Sequence, residues 1–543
     1  MEQEKKQGLH LHLENSRNPK LKKLLEIGLI LLLVFVISII TLSDANPTTN
    51  PPGRDGGFFL YVGKALRSGA KLYEDIWDSK GPLIFWINAL GVGNDYSRWG
   101  LYLIELVFFA ASLFIAYWFI KKRYGFLPAI GTIFLGAHLL KFVIGFGNYT
   151  EEYSILFTWI AIAALALLVN KKKTFWPFFL MGVTIVLNFL LRANNIGTQI
   201  AVVLVALIYV FLKQKEVKIW QPIAYLFIGA LTIALPTSLY FIINGTFGAM
   251  IDASILYNFA YSAVSGKSFN LSPAHAISAF NGWFYVFLVL WLGGIVKLVI
   301  NFRQKNFDPF LLLTVLAFPI EYLMSSISGR GHGHYFICWI PACMLLLSFG
   351  LSVFQEEAIK TSFRTKCETT YSELIIGLLL IIAVASSFMF LGRTARYLVV
   401  NLIPPRTKYE YQDPASKVIE ESTDETDKVL VFGGQAGINI MARRDSINGA
   451  LFYPGINNSE IGLEVQKEFF ENLKEEQPKL IIDGHRHVPN NVPAFDPEDR
   501  QSQSFTYEIS GNVDQVLDWI NENYERYDEA NDYIIYRLRE KAD

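Results

Sequence analysis

The chain has 543 residues, of which 52% are hydrophobic, 15% aromatic and only 18% charged, against about 25% charge in an average soluble protein. With a mean hydropathy of +0.30, this excludes a disordered chain and an ordinary soluble enzyme. A formal net charge of -1 leaves no global basic surface, so nucleic acid is set aside as a partner and membrane lipid takes its place.

Apolar stretches of bilayer length, roughly 17 to 25 residues, fall near 24–42, 100–120, 126–146, 152–169, 174–191, 196–212, 221–243, 281–300, 309–326, 335–354 and 372–392. The chain is therefore expected to be a polytopic α-helical membrane protein with about eleven transmembrane helices. Lys20, Lys22 and Lys23 precede the first stretch, and Asp44 to Pro52 after it lacks a small-residue cleavage pattern, so it reads as an anchor. Basic clusters then recur in every second connection: Lys121-Lys122-Arg123, Lys171-Lys172-Lys173, Lys213/Lys215/Lys218, Arg303/Lys305 and Lys360/Arg364/Lys366. The positive-inside rule places these and the tail, 1–23, in the cytoplasm. The connections 43–99, 147–151, 192–195, 244–281 and 328–334, and everything after 392, fall on the other side, the outer face of a plasma membrane. In the first outer loop, 82–92 is apolar but too short to span, and with Phe58 to Leu66 it is expected to fold down onto the membrane.

From about 405 the composition turns mixed. Lys428 to Phe432 and Lys479 to Ile482 look like strands, Leu463 to Glu475 like a helix, and Val513 to Tyr524 is followed by Tyr533 to Tyr536. Such alternation predicts a small α/β domain. Gly433-Gly434-Gln435-Ala436-Gly437 after the first strand lacks the full phosphate-loop fingerprint and reads as a strand-to-helix turn. The predicted organisation is a tail at 1–23, a transmembrane domain at 24–400 and an extracytoplasmic α/β domain at 401–543. Cys338, Cys343 and Cys367 are too few for a disulfide framework and read as unpaired thiols.

Ionisable residues of a membrane protein mark a site when they gather on one face, and here the outer face collects nearly all of them. The first outer loop holds Asp55 in Gly53-Arg54-Asp55-Gly56-Gly57, then Tyr61, then Tyr73-Glu74-Asp75-Ile76-Trp77-Asp78-Ser79-Lys80-Gly81-Pro82. Later outer turns add Asn148-Tyr149-Thr150-Glu151-Glu152-Tyr153, Leu191-Arg192-Ala193-Asn194, and Arg330 before Gly331-His332-Gly333-His334-Tyr335. An Asp shortly after the first span, a tyrosine-rich segment and an Asp-x-Lys-x-Pro run leading into an apolar stretch resemble the polyprenyl-phosphate-sugar glycosyltransferases of the GT-C superfamily. The nearest groups are the protein O-mannosyltransferases and the aminoarabinose transferase type, glycosyltransferase family 39-like. The resemblance runs through the membrane part in order. Gly56 stands where the family often carries a second carboxylate.

The resemblance implies a GT-C-like membrane domain, a polyprenyl-phosphate-linked sugar donor and an extracytoplasmic acceptor, whether glycan, lipid or protein. It implies Asp55 as the base that takes the acceptor proton, a task suited to a carboxylate in a partly desolvated loop; position alone fits a solvated turn aspartate equally well. Lys80 is a compact charge suited to a phosphate oxygen, with Asp78 placed to orient it; a surface ion pair is the plainer alternative. Glu151 and Glu152 open a span, where one carboxylate complements the helix dipole and the other is free to position sugar or acceptor. Arg192 and Arg330 suit a phosphate clamp or lipid headgroups. His334 and Tyr335 are expected as substrate contacts, as is Tyr61. Tyr257, Phe259 and Tyr261 suit sugar stacking or an interfacial aromatic belt. Two histidines two residues apart fall short of a zinc site, so no cofactor is assigned and a divalent metal stays open. The competing class is a transporter or lipid-sugar flippase, for which Glu105 and Glu321 are the nearest intramembrane carboxyls.

Overall fold

The computed structural model describes residues 19–171, 173–264, 274–280, 282–327, 331–362, 392, 410–506 and 508–540. Its membrane part runs α1 (Pro19–Thr41), α2 (Arg54–Arg67), α3 (Pro82–Gly91), α4 (Trp99–Tyr124), α5 (Phe126–Val143), α6 (Thr150–Lys171), α7 (Phe175–Leu191), α8 (Gly197–Lys213) and α9 (Trp220–Ile243). Next comes α10 (Phe247–Ile251), which passes through a π-turn at Asp252–Leu256 into α11 (Tyr257–Val264). Then follow α12 (Trp283–Arg303), α13 (Pro309–Ser326), a 3₁₀ segment at Gly333–Trp339 and α14 (Ile340–Ser362). Eight of these helices are long and apolar enough to cross a membrane, the 3₁₀ segment counting with α14, while α7 and α8 fall short at 17 residues each. Ten of the expected spans thus appear as helices. The eleventh, 372–392, lies outside the described residues but for its last position, as do Cys367 and the boundary near 401.

Local chemistry sets the helix ends. Pro82 and Pro309 occupy first turns, where a missing N–H costs nothing, and Asp308 caps α13 by accepting from Phe310 N at 3.1 Å and Leu311 N at 3.2 Å. The short apolar run after Gly81 forms α3 as a helix of 10 residues.

The C-terminal part comprises α15 (Pro414–Ser422), β1 (Val429–Phe432), α16 (Gly437–Ala442), α17 (Glu460–Glu476), β2 (Leu480–Asp483), α18 (Val513–Asn523), β3 (Tyr524–Ala530) and β4 (Tyr533–Leu538). They build a sheet of order β1-β2-β4-β3, with β1 and β2 parallel and the other pairs antiparallel. Gly433 and Gly434 have φ of 93° and 80°, so the glycine run is the tight strand-to-helix turn that the sequence suggested. The β3 strand has the burial pattern of an edge, with Glu525 to Glu529 exposed, and its charges give no apolar alternation for sequence reasoning to find.

Two large apolar cores organise the molecule. One lies within the helical bundle and contains Trp159, Phe178 and Trp339. The other begins in the first outer loop, with Phe58, Phe59, Trp77 and Phe85, and runs without a break into Leu430, Phe432, Tyr453, Phe469 and Ile520 of the C-terminal domain. The loop is therefore not simply laid on the membrane. Its Phe58 to Val62 stretch is buried on all sides, because α3 packs on one flank and α16 covers the other. Burying a phenylalanine side chain contributes roughly 1.5 to 3 kcal/mol, so this second core is a major bond between the two parts.

Candidate active site

Asp55 sits in the first turn of α2, where the positive helix end favours a carboxylate. Its Oδ2 lies 3.8 Å from His334 Nε2, with 29% of the Asp55 side chain exposed. His334 belongs to the 3₁₀ segment before α14 and is fixed by ring contacts. Tyr149 stacks on it at 4.7 Å and 6°, His332 at 5.7 Å and 10°. Tyr335 meets it edge-on, with ring centres 4.7 Å apart. The Tyr335 face in turn carries the Arg192 guanidinium, 3.7 Å from its centre, a cation–π contact. Arg192 Nη1 donates to Glu151 Oε1 at 2.5 Å, and Thr150 Oγ1 donates to Glu151 Oε2 at 2.9 Å. A continuous chain of side chains thus joins Asp55, His334, Tyr335, Arg192 and Glu151, which are separated widely in sequence.

The second arm is the loop before α3. Asp78 is buried, and its Oδ1 accepts the Lys80 backbone N–H at 2.7 Å. Tyr73 OH donates to Lys80 O at 2.7 Å, and Asn258 Nδ2, from α11, donates to Ser79 O at 2.7 Å. The Lys80 backbone is held on both sides. Its ammonium is half-buried and has no carboxylate within ion-pair distance among the described residues, Asp78 being engaged with the backbone instead. Burial pushes the Asp78 carboxyl above the usual carboxylate range, and the Lys80 charge works against that. Gly81 abuts the backbone of Leu190, two residues before Arg192, so this loop lies at the end of α7 that carries the first arm.

Asp55, Asp78, Lys80, Glu151, Arg192, His334 and Tyr335 are therefore brought together. Two other expected residues, Tyr61 and Glu152, are not. Tyr61 is 3% exposed and accepts the Ser446 N–H at 2.6 Å; it faces the C-terminal domain rather than a substrate, and burial pushes its hydroxyl well above the usual tyrosine value. Glu152 turns inward, its Oε2 accepting the Asn148 N–H at 2.9 Å beside Glu105 Oε1 at 2.5 Å from the same nitrogen. Arg330 lies outside the described residues, as does the Tyr261 side chain.

The sequence places Asn148 and Tyr149 in the acidic turn but gives neither a role of its own. Asn148 has φ of 57°, a left-handed conformation that Asn tolerates, and its N–H and both side-chain polar atoms are bonded. Beyond the two carboxylates on its N–H, its Nδ2 donates to Gly56 O and Asn88 Oδ1, both at 2.8 Å. Its Oδ1 accepts from Tyr153 OH at 2.9 Å and from Asn88 Nδ2 at 3.1 Å. The first turn of α2 is thereby tied to α3, α4 and α6. The Gly147-Asn148 pair was the one available signal. Behind this node lies a cavity of about 30 Å³ lined by Gly53, Gly56, Arg98, Tyr102, Glu105 and Asn148 among others, room for little more than a water. Among the described residues no group of three His, Cys, Asp or Glu side chains is placed to hold a metal ion.

This polytopic bundle, with its buried first loop and its small appended sheet, has the fold of the GT-C membrane glycosyltransferases. ArnT from Cupriavidus metallidurans bound to undecaprenyl phosphate superposes with a TM-score of 0.55 at 14% identity, over 95% of this chain and 98% of that one. The same protein in the apo state gives 0.52 at 13% identity, over 96% and 98%. The Archaeoglobus fulgidus oligosaccharyltransferase tethered with an acceptor peptide gives 0.47 at 11%, over 84% and 69%. The family described as putative competence-induced protein Ccs4 N-terminal domain matches residues 15–389, more than half of the chain. The chain belongs to that family. No curated protein matches it in sequence.

Proposed function

We propose that the protein is an integral membrane glycosyltransferase that moves one sugar, with inversion, from a polyprenyl-phosphate donor to an extracytoplasmic acceptor hydroxyl. The observation that supports this reading is the placing of Asp55 Oδ2 3.8 Å from His334 Nε2, paired with a Lys80 loop that packs at Gly81 against Leu190, beside Arg192. That pairing suits a reaction which needs one group to take a proton and another to meet a phosphate. Asp55 accepts the hydroxyl proton as the acceptor oxygen bonds to the anomeric carbon. The bond from that carbon to the phosphate oxygen breaks, and its electron pair leaves on the polyprenyl phosphate. Lys80 stabilises the charge that develops there, preorganised because its backbone is fixed by Asp78 and Tyr73. Arg192 is already neutralised by Glu151, so this pair and Tyr335 form a rigid wall that positions the sugar. The alternation of basic clusters supports an outer site, covered by the C-terminal domain. ArnT's capture of undecaprenyl phosphate in the same fold supports a lipid-phosphate donor.

The transporter alternative draws on Glu105 and Glu321. Both are engaged in static contacts, Glu105 with Asn148 N and Glu321 Oε2 with Thr198 N at 2.6 Å and Oγ1 at 2.7 Å. The test is transfer of radiolabelled sugar from membrane lipid to extractable acceptor in cells lacking the native protein. Asp55→Asn, present and folded in the membrane, is expected to abolish transfer while the lipid-phosphate sugar accumulates. Unchanged transfer by that variant removes Asp55 as the base, and absence of lipid-dependent transfer by the unaltered protein removes the transferase reading.

A further inference from the structure

We infer that the segment 433–457 of the C-terminal domain is a positioning element for both arms of the site, acting chiefly through the close approach of Gly57 and Gly437. The inference rests on the transferase reading and adds to it a task for the C-terminal domain. Asp55 lies between two residues docked on that segment. Arg54 Nη2 donates to Gly433 O at 2.8 Å, and Gly57 abuts Gly437. One turn further on, the Phe58 and Phe452 rings meet at 4.4 Å and Tyr61 OH takes the Ser446 N–H.

The second arm is strung on the same segment. Gly449 N donates to Asp75 O at 2.7 Å and Trp77 N donates to Gly449 O at 3.2 Å, immediately before Asp78 and Lys80. Asn457 N donates to Tyr257 OH at 3.1 Å, and the neighbouring Asn258 holds Ser79 O. One stretch of chain therefore fixes the approach of the proposed base, the loop of the phosphate-facing lysine and the helix that braces it.

The Gly57 contact has no slack. A β-carbon there would lie 2.8 Å from Gly437 Cα and 3.1 Å from Gly437 N, both backbone atoms unable to swing aside. A methyl group must push α2 and α16 apart and carry Asp55 with it. Displacements of about 1 Å at a reacting centre cost on the order of 100-fold in rate, so a shift of a few tenths is readable.

The experiment uses the full-length protein in liposomes with a polyprenyl-phosphate sugar. It compares Gly57→Ala and Gly437→Ala with Ile133→Val, a change in the bundle core, which contains no residue of 433–457. Turnover per folded molecule, donor KM and hydrogen exchange over 54–61 and 72–80 are measured. Gly57→Ala is expected to lower kcat by about tenfold with donor KM little changed and exchange raised in both stretches, while Ile133→Val keeps the kcat of the unaltered protein. Wild-type kcat in Gly57→Ala overturns the inference, as does an equal loss in Ile133→Val. If the unaltered protein transfers nothing, the transferase reading fails separately. Exchange then decides alone whether the segment holds the arms: raised exchange in both supports it, and unchanged exchange overturns it.

Discussion

Lys80→Met separates the charge of this side chain from its shape. The Lys80 N–H is taken by Asp78 Oδ1 at 2.7 Å and its carbonyl by Tyr73 OH at 2.7 Å, so the loop keeps its path whatever the side chain carries. Methionine fills nearly the same volume and removes only the ammonium. A unit charge about 4 Å from a departing phosphate contributes about 4 kcal/mol at an effective dielectric constant of about 20. Part of that attraction is already present in the bound donor, which leaves about 3 kcal/mol specific to the transition state, a factor of about 100 in rate. Initial transfer rates from a purified lipid-phosphate sugar, at saturating acceptor, measure this directly. A Lys80→Met protein that folds and works within about threefold of the unaltered rate would refute the assignment of Lys80 to the leaving phosphate.

Three further outcomes follow from the same geometry. The Asp78 carboxyl is raised in the folded state by burial, so the fold holds a proton that the unfolded chain releases between the ordinary carboxylate range and the raised value; stability therefore falls as pH climbs through that window. Asp78→Asn keeps the acceptor for Lys80 N–H, and thermal melts at pH values rising from the ordinary carboxylate range, about 4, should show a flatter dependence. Arg192→Met strands the buried Glu151 and should cost about 3 to 5 kcal/mol, with much of the loss recovered in the Arg192→Met/Glu151→Gln double variant, as read by thermal stability in detergent. Tyr61→Phe leaves the Ser446 N–H unsatisfied and should cost about 1 to 3 kcal/mol, with donor KM unchanged because Tyr61 faces the other domain.

The spans were legible because each carries its own signal: an apolar run of membrane length, bounded by Lys and Arg. The strands β1, β2 and β4 were legible for a similar reason, since Leu430, Ile481 and Ile535 sit in short β-branched or aliphatic runs. Of the candidate site, Asp55, Asp78 and Lys80 stand in one loop, and it was the resemblance that singled out Asp55, since position alone fitted a solvated turn aspartate equally well. Their relation to Glu151, Arg192 and His334 could not be read from spacing, because it is made by helices packing side by side. Tyr61 was misjudged because a tyrosine in an aromatic segment looks the same whether it meets a sugar or another domain. Asn148 was passed over because its work is done by its backbone conformation and its amide, which leave no pattern in composition. The cover of the first loop was equally hidden: its apolar residues pack on bundle residues such as Tyr153 and Phe241 and on residues several hundred positions later.

That shared core bears on how the protein is made. The first loop emerges early in synthesis with Phe58, Phe59 and Trp77 ready for burial, yet Leu430, Tyr453 and Phe469, which cover them, are made only after the bundle helices have been inserted. A ribosome part-way along the message therefore carries a loop with its greasy side open and its acidic residue unaligned. The second core cannot close until the C-terminal domain has been made, so the first loop keeps its apolar side uncovered through most of synthesis.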